Sequence, residues 1–361
     1  MGVRHLGGMP RKISAEDEEL RKIVEKSRAK IKVVGCGGAG NNTVTRLMQV
    51  GIEGAETIAI NTDAMDLLYT DAHKKLLIGK ETTQGLGAGA NPELGRQSAE
   101  ENKNEIRAAL KGANMVFLTA GLGGGTGSGS IPVVAEIAKR LGALTIAIVT
   151  LPFKMEGRQR MQNAEYALEA LENIVDTLIV IPNEKLLEIV PDVSLETAFR
   201  VADEILVNAV KGITELITKP GLVNLDFADV RAVMKDGGLA MIGMGESDTE
   251  NRALESVEKA INNPLIEVDI SDAKGALIDV MGGPDLTMRE YYQVVEAVSS
   301  QLAEDAKVIS GAQIDKSLGD RLRTLLIITG VKSPHIFGKE KTWSEQKKKD
   351  IEKILGVEFV E

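Results

Sequence analysis

The chain has little of several residue types that mark particular classes of protein. Its single cysteine, Cys36, excludes an intrachain disulfide framework and fits a reducing cytoplasm. Because no apolar run reaches about 18 residues, no segment is expected to span a membrane. Residues 1–30 are too highly charged for a signal peptide. These absences predict a cytoplasmic protein without direct membrane insertion.

Positive charge and histidine are also sparse. The formal net charge is -10, and the one basic run that stands out is Lys347–Lys349, so no nucleic-acid ligand is expected. The three histidines, His5, His73 and His335, lie outside the glycine-rich segments described below. No histidine is therefore placed for proton transfer at those segments.

What the chain does have is a repeated alternation of short apolar segments with amphipathic ones. At 361 residues and 43% hydrophobic content, it is long enough for about two domains with sizeable cores. The pattern predicts strands at 31–35, 56–60, 74–78, 113–119, 143–150 and 175–181, and helices near 40–50, 92–111, 129–141 and 156–172. This alternation predicts an α/β fold with a Rossmann-like parallel sheet, whose ligands gather at the carboxyl ends of the strands.

The most informative segment is 121–129, GLGGGTGSG, which joins a strand pattern to a helical pattern with Pro132 in its first turn. Glycines let backbone amides approach an anion, and a helix N-terminus adds free N–H groups and a positive dipole end. The hydroxyls of Thr126 and Ser128 suit phosphate or a metal ion. A flexible linker would lack such ordered flanks. A Walker A loop needs a lysine, and none lies between Ala113 and Ala138.

Other predicted strands end in similar residues. These segments are 35–42 (GCGGAGNN), 61–63 (NTD) and 85–92 (GLGAGANP). The first of them also satisfies G-x-G-x-x-G, so a NAD-dependent oxidoreductase with Asp63 on the ribose is a rival hypothesis. A Rossmann enzyme does not need the fourth-strand segment for phosphate. Several glycine-rich segments at one sheet edge therefore favour a nucleoside triphosphate.

The second half of the chain has a different organisation. Residues 194–218 predict one long helix, ended by Lys219-Pro220-Gly221 and long enough to be a spine between domains. A short helix at 226–234 precedes strand patterns at 239–244, 275–281, 306–313 and 322–329, with helices near 249–262 and 287–302. We therefore expect a helical N-terminal extension (1–30), a nucleotide-binding domain (31–193), a central helix (194–219), an α+β domain (220–330) and a charged tail (331–361) with a basic helix at 344–355.

The ordered set of motifs resembles the tubulin/FtsZ family of GTPases. The segment 123–129 matches the family signature, and the match continues through 61–63, 85–92, Pro152-Phe153 with Glu156-Gly157, 181–183 and 224–231. It covers roughly residues 31–330 and is closer to the FtsZ branch than to tubulin. The N-terminal extension and short tail look archaeal. Ser128 and Leu225 differ from the threonine and valine that many members have there.

The resemblance implies that the ligand is GTP or GDP, with Mg2+, and that backbone amides of three loops hold the phosphates. Glu156 and Arg160 would contact the ribose and phosphates, Phe199 would stack on the base, and Asp203 would accept hydrogen bonds from guanine. Without the resemblance, Phe199 is typical of a core residue and Asp203 of a solvated charge. The implied nucleotide-binding residues are Gly37, Gly38, Ala39, Gly40, Asn41, Asn42, Asp63, Ala88, Gly89, Ala90, Gly123, Gly124, Gly125, Thr126, Gly127, Ser128, Glu156, Arg160, Asn183, Phe199 and Asp203.

No residue near the glycine-rich segments supplies a base or a water-positioning acid for phosphoryl transfer. Asp226 and Asp229 lie at a predicted helix start, where carboxylates ordinarily cap the helix. The resemblance implies that they act in trans, on GTP held by the adjacent subunit. Hydrolysis would then require head-to-tail association into a homopolymer, the filament of a cell-division ring.

Two points stay open at the level of sequence. A GTP-binding regulator that does not polymerise is the alternative function, although Asp226 and Asp229 are both present where such a protein is expected to have lost them. The segment 354–360 fits a docking peptide for a membrane-anchoring adaptor and a segment that packs on its own domain equally well. The resemblance implies a cytoplasmic location at the mid-cell division site.

Overall fold

The computed structural model describes residues 28–185, 195–219, 221–223, 225–262 and 269–332. Its strands are β1 Ile31–Cys36, β2 Ala55–Asn61, β3 Lys74–Leu77, β4 Met115–Gly121, β5 Leu144–Leu151, β6 Thr177–Pro182, β7 Gly238–Ser247, β8 Gly275–Gly282, β9 Lys307–Ile314 and β10 Leu322–Thr329. Its helices include α1 Gly37–Val50, α2 Ala64–Tyr69, α3 Pro92–Glu101, α4 Lys103–Leu110, α5 Gly125–Arg140, α6 Arg158–Glu172, α7 Leu195–Thr218, α8 Phe227–Met234, α9 Arg252–Ile261 and α10 Met288–Ser299. The predicted helices of the N-terminal extension and of the tail, and the segment 354–360, lie outside the described residues.

All ten of these strands belong to one sheet, in the order β3-β2-β1-β4-β5-β6-β7-β10-β8-β9. From β3 to β6 every pair is parallel, which confirms the predicted Rossmann-like sheet. The second half is mixed, because β10 is antiparallel to both β7 and β8 while β8 and β9 are parallel. The halves join where 177–179 of β6 pair with 238–240 of β7. The predicted domain boundaries stay a prediction.

Both faces of the parallel half are covered, as expected for strands that are almost entirely apolar. Consecutive residues of one strand point to opposite faces, so Val34 packs in one core with Ile131 of α5 while Val33 packs in the other. This second core includes Ile213 of α7 and continues to Leu325 of β10. The long helix α7 is therefore buried against strands of both halves.

Helix α7 runs alongside α1, from the carboxyl edge of the parallel sheet toward the opposite edge. Near its beginning, the Asp203 carboxylate lies 3.5 Å from the Thr43 hydroxyl in the second turn of α1. Near its end, Lys211 donates to the carbonyl of Val50, the last residue of α1, and Thr218 donates to the carbonyl of Glu53. Whatever follows Thr218 therefore lies away from the carboxyl ends of the strands.

The largest departure from the predicted elements concerns the segment 92–111. The prediction of one helix is wrong: α3 and α4 are separated at Asn102, whose side chain accepts a hydrogen bond from the amide of Gly79 at 2.8 Å. Helices α1 and α5 also begin earlier than predicted, at Gly37 and Gly125, because the glycines form their first turns. In the described part of the chain, no helix is long and apolar enough to cross a membrane.

Candidate functional site

Three predicted phosphate-binding segments meet at the carboxyl ends of β1, β3 and β4. We call this region the nucleotide end, and its segments are the first turn of α1 (37–42), the 85–91 loop and the 121–128 segment. The amide of Gly125 donates to the carbonyl of Gly89 at 2.9 Å, which joins the last two segments. A Cβ on Gly37 would lie 2.7 Å from the Gly127 nitrogen, so the first turns of α1 and α5 are also in contact. The N-termini of α1 and α5 therefore face the same region.

The close approach explains the requirement for glycine at two positions. Gly37 has a φ of +70°, a left-handed conformation that side chains other than glycine rarely adopt. A Cβ on Gly125 would lie 2.5 Å from the Gly89 oxygen and 2.8 Å from the Ala88 oxygen, both of them backbone atoms. The three segments can converge only because these side chains are absent.

Not every amide of the 121–128 segment is left for a ligand. Gly123 donates to the Ser128 hydroxyl at 2.8 Å, and Gly125 donates to Gly89. The first turn of a helix leaves its remaining N–H groups unpaired, here those of Gly124, Thr126 and Gly127. Within this segment, these three amides are the ones that remain available to an anion.

The hydroxyl groups of this segment have partners within the protein. Ser128 is fully buried and its hydroxyl accepts from the Gly123 amide, while its place in the nucleotide site stays a prediction. The Thr126 hydroxyl lies 2.6 Å from the Thr62 hydroxyl, which joins the 121–128 segment to the end of β2. Both hydroxyls hold the segment in shape.

The end of β2 carries a carboxylate pair. Asp63 caps α2 by accepting from the amides of Met65 and Asp66 at 2.9 and 3.0 Å. The carboxylate of Asp66 accepts from the side chain of Asn61 at 2.5 Å and lies 3.5 Å from the side-chain nitrogen of Asn41. No sequence motif predicted a role for Asp66. The oxygen of the Asn41 side chain is buried without a partner in the described part of the protein. The side chain of Asn41 therefore keeps one acceptor unused at the first turn of α1.

Exposure separates the remaining predicted residues into reachable and enclosed ones. The exposed residues are Gly38, Ala39, Asn42, Gly89 and Ala90. The buried residues are Gly37, Gly40, Asn41, Ala88, Gly123, Gly125, Gly127 and Asn183. Asn183 follows β6, and its side-chain oxygen lacks a partner in the described structure. Exposed residues thus lie among buried ones in 37–42 and 85–91, whereas 121–128 contains only buried and half-buried residues.

Two charged residues flank the 121–128 segment: Glu156, which precedes α6, and Arg160, in the first turn of α6. Arg160 donates to Glu156 at 2.7 Å, and the other oxygen of Glu156 accepts from the amide of Phe153 at 2.9 Å. The carbonyl of Arg160 lies 3.1 Å from where a Cβ on Gly123 would be. Glu156 is therefore held by two contacts, while the Arg160 side chain is half exposed beside the segment.

Asp203 lies at the side of α1, where the resemblance places guanine. Burial raises its pKa to about 6, against the hydrogen bond from Thr43 and the charge of Arg46, which lower it. Arg46 also pairs with Glu204 at 3.2 Å. Phe199 belongs to α7, and its side chain lies outside the described structure. A carboxylate that is penalised by burial gains from any ligand that donates to it.

Asp226 and Asp229 lie at the opposite end of α7, which we call the acidic end. The Asp226 carboxylate accepts from the amide of Asp229 at 2.8 Å, and the Asp229 carboxylate accepts from the amide of Asp226 at 3.2 Å. The structure therefore confirms the capping interpretation, while each carboxylate keeps a second oxygen outside the capping pair. Since Asp203 to Thr218 spans about 22 Å of helix, the chain does not bring this pair to its own nucleotide end.

Two family models match separate parts of the chain. Residues 30–191 match the model of the tubulin/FtsZ family GTPase domain, and residues 238–332 match that of the FtsZ family C-terminal domain. The chain is 62% identical over 324 residues to cell division protein FtsZ 1 of Thermococcus kodakarensis, covering 90% of this chain and 87% of that protein. It is 61% identical over 321 residues to FtsZ 1 of Methanocaldococcus jannaschii, covering 89% and 88%.

Solved structures give the same result. An empty FtsZ dimer of M. jannaschii matches with a TM-score of 0.83 at 62% identity, over 88% of this chain and 92% of that one. A protofilament of CetZ2 from Haloferax volcanii, with a TM-score of 0.73 at 23% identity over 90% and 99% of the chains, shares the fold. The chain therefore belongs to the tubulin/FtsZ family, and within it to the FtsZ group of filament-forming GTPases of cell division.

Proposed function

We propose that the nucleotide end of one subunit holds GTP while Asp226 and Asp229 of the next subunit complete the hydrolytic site. The observation that carries this proposal is the separation of the two ends along α7. The loops offer amides for phosphate, while the nearby carboxylates of Asp63 and Asp66 are engaged in capping α2 and in holding Asn61. The acidic end offers two carboxylates, and its described residues include no glycine-rich loop. Head-to-tail contact joins the two halves of one site.

Exposed apolar side chains at both ends support this contact. Around the nucleotide end, Leu68, Tyr69 and Leu86 are 68%, 79% and 84% exposed. Next to the acidic pair, Leu222 is 68% exposed. Apolar groups of this size on a monomer surface are typical of an interface, and a contact between unlike ends repeats without closing. The M. jannaschii relative has been solved as a dimer.

Within this contact each group has a separate task. The amides of Gly38, Ala39 and the first turn of α5 hold the phosphates, since charge-assisted amide bonds replace a lysine. Asp203 accepts from the two donors on guanine, which adenine lacks. The free oxygens of Asp226 and Asp229 orient water in line with the leaving oxygen. Mg2+, when bound, neutralises phosphate charge. The described residues include no cluster of three or more His, Cys, Asp or Glu able to hold a metal, so its ligands would come largely from the phosphates and water.

A mixing experiment tests the division of the site between subunits. Asp229→Asn keeps the nucleotide end intact, whereas Gly125→Val keeps the acidic end intact and blocks the 121–128 segment. Each variant alone should hydrolyse little GTP, and an equimolar mixture should recover turnover, because one contact in the mixture is complete. A mixture as inactive as its components would contradict hydrolysis in trans. Wild-type specific activity that does not change with protein concentration would favour the non-polymerising alternative.

The tail carries a smaller part of the proposal. Its apolar segment 354–360 follows a basic stretch in the sequence, which suits a peptide that docks on a membrane-anchoring adaptor at mid-cell. Removal of residues 355–361 should leave GTP turnover and filament formation unchanged while the protein loses its mid-cell position in cells. Normal placement of the truncated protein would contradict this role.

A further inference from the structure

We propose that Asn163 is a positioning residue that fixes the spacing between the 85–91 loop and the 121–128 segment before nucleotide binds. This inference rests on the proposed function, because it assigns a role to a residue behind the phosphate-binding loops. Asn163 lies on α6 and is 6% exposed.

The side-chain amide of Asn163 joins two segments that come from different strands. Its nitrogen donates to the carbonyl of Ala90 at 2.9 Å and to the carbonyl of Gly123 at 3.1 Å. Its oxygen accepts from the side-chain nitrogen of Gln159, one turn earlier on α6, at 3.1 Å. Since an amide nitrogen has two hydrogens, both are used here, one for each segment. The Gln159 contact keeps the nitrogen facing the two carbonyls.

This bond pair supplements a single direct link between the segments. The only backbone hydrogen bond recorded between the described parts of the 85–91 loop and the 121–128 segment joins Gly125 to Gly89. The Gly125–Gly89 bond alone leaves the outer residues Ala90 and Gly123 free to separate. Asn163 adds a second attachment at those residues and so sets the distance between the two sets of amides. Donors that are already in place bind charge without the cost of ordering a loop.

Asn163 does not lie in the region where the loops contact α1. It forms part of an open groove of about 570 Å³, whose other lining residues are Ala90, Asn91, Pro92, Glu93, Gln159 and Tyr166. None of these residues belongs to α1 or α7. An effect of Asn163 on nucleotide affinity therefore passes through the two carbonyls that it holds.

Two substitutions remove the attachment in different ways. Asn163→Leu keeps the branched shape with bulkier methyl groups and has no donor, so the carbonyls of Ala90 and Gly123 lose their partner. Asn163→Asp keeps the shape and turns an oxygen toward two carbonyl oxygens. The matched control is Asn173→Ala at the end of α6, where the Asn173 side chain donates to the carbonyl of Glu169 at 2.7 Å, far along the helix from the loops.

The experiment measures GTP affinity and steady-state turnover on the full chain. Asn163→Leu should weaken GTP binding about tenfold and Asn163→Asp more, with KM raised and kcat recovered at saturating GTP, because bound nucleotide then orders the loops. Hydrogen exchange should accelerate in 85–91 and 121–125. Asn173→Ala should lower the melting temperature and leave GTP affinity unchanged.

The outcomes separate this inference from the proposed function. If wild type binds GTP and shows concentration-dependent turnover while Asn163→Leu has wild-type affinity, the inference is wrong and the proposed function stands. If wild type binds no GTP, the proposed function fails first. Should Asn163→Leu not fold, Gln159→Ala decides the matter: about threefold weaker binding supports the inference, and unchanged binding overturns it.

Discussion

The nucleotide end and the acidic end of this molecule are built by opposite means. The nucleotide end is a set of backbone amides held by buried side chains, among them Ser128 and Asn163. The acidic end has two partly or fully exposed carboxylates on the short helix α8. In the proposed function, the first end binds nucleotide without a partner, and the carboxylates of the second act on the next subunit. Under that proposal, binding is prepared in the monomer, whereas hydrolysis awaits association.

The two ends also use helix N-termini differently. At Gly125 the first turn of α5 has no capping side chain, so the amides of Thr126 and Gly127 stay open to an anion. At Asp226 the first turn of α8 is capped by the carboxylates themselves. A capped helix does not attract phosphate, but it holds its carboxylates in a fixed direction. Capping and a role in hydrolysis are therefore compatible in the acidic pair.

The largest expected effect comes from closing the nucleotide end. Gly125→Ala places a Cβ against the Gly89 and Ala88 carbonyls, so we expect GTP affinity to fall at least a hundredfold and the melting temperature of the empty protein to drop. Gly124→Ala is the matched change, because its Cβ meets no protein atom within 4 Å. Thermal unfolding without nucleotide and GTP titration measure the two effects. Equal stability losses at both positions would contradict the placement of the segments.

The next effect separates the acidic end from the nucleotide end. Asp229→Asn and Asp226→Asn keep a capping oxygen, since asparagine caps as well as aspartate, but they remove the charge. Turnover should fall about a hundredfold while the GTP affinity of the monomer and the melting temperature remain near wild type. Asp269→Asn, which alters an exposed carboxylate bonded to Ser271, should change neither quantity. Loss of GTP affinity in Asp229→Asn would place this residue in its own nucleotide site.

The structural elements behind this contrast could be predicted from the sequence only in part. Apolar periodicity located all ten strands and the long helix, because burial on a parallel sheet leaves a strong pattern. It did not show that β6 and β7 pair over three residues, since a short pairing leaves no periodic signal. The low helix propensity of glycine predicts loops at Gly37 and Gly125, yet both residues begin helices. Gly37 packs closely against Gly127 of α5, and Gly125 packs closely against the carbonyls of Ala88 and Gly89.

Some site residues could be predicted from the sequence and others could not, because only some of them belong to local motifs. The glycine motifs are local, so their convergence followed from strand ends alone. Asn163 lies on a helix facing two loops that are 73 and 40 residues away, and a lone asparagine in an amphipathic helix has no distinguishing spacing. Asp66 had one available signal, its position three residues after the capping Asp63.

Association itself should respond to the exposed apolar side chains more moderately. Tyr69→Ser removes a ring that is 79% exposed beside the nucleotide end, so the protein concentration needed for assembly should rise about three- to tenfold. Tyr292→Ser, on α10 and 62% exposed, is the comparison, because it removes a similarly exposed tyrosine from a different helix. Light scattering against protein concentration at saturating GTP measures the threshold. A larger shift for Tyr292 than for Tyr69 would assign the contact to another face.

The smallest effect concerns the charge of Asp203 and distinguishes guanine recognition from association. Its pKa of about 6 in the empty protein lies above the ordinary 3.8, so the folded state prefers the proton and the free energy of unfolding falls as pH rises from about 4 to 6. Guanine donors favour the ionised form, so GTP binding should release a proton below about pH 6.5 and weaken about fourfold between pH 7.5 and 5.5.

Asp203→Asn should bind GTP weakly, and its affinity should show no such dependence on pH. Asp279, whose pKa burial raises to about 7, titrates in both proteins and cancels in their difference. An equal pH slope in the variant would mean that another group senses the proton, and that Asp203 does not contact the base.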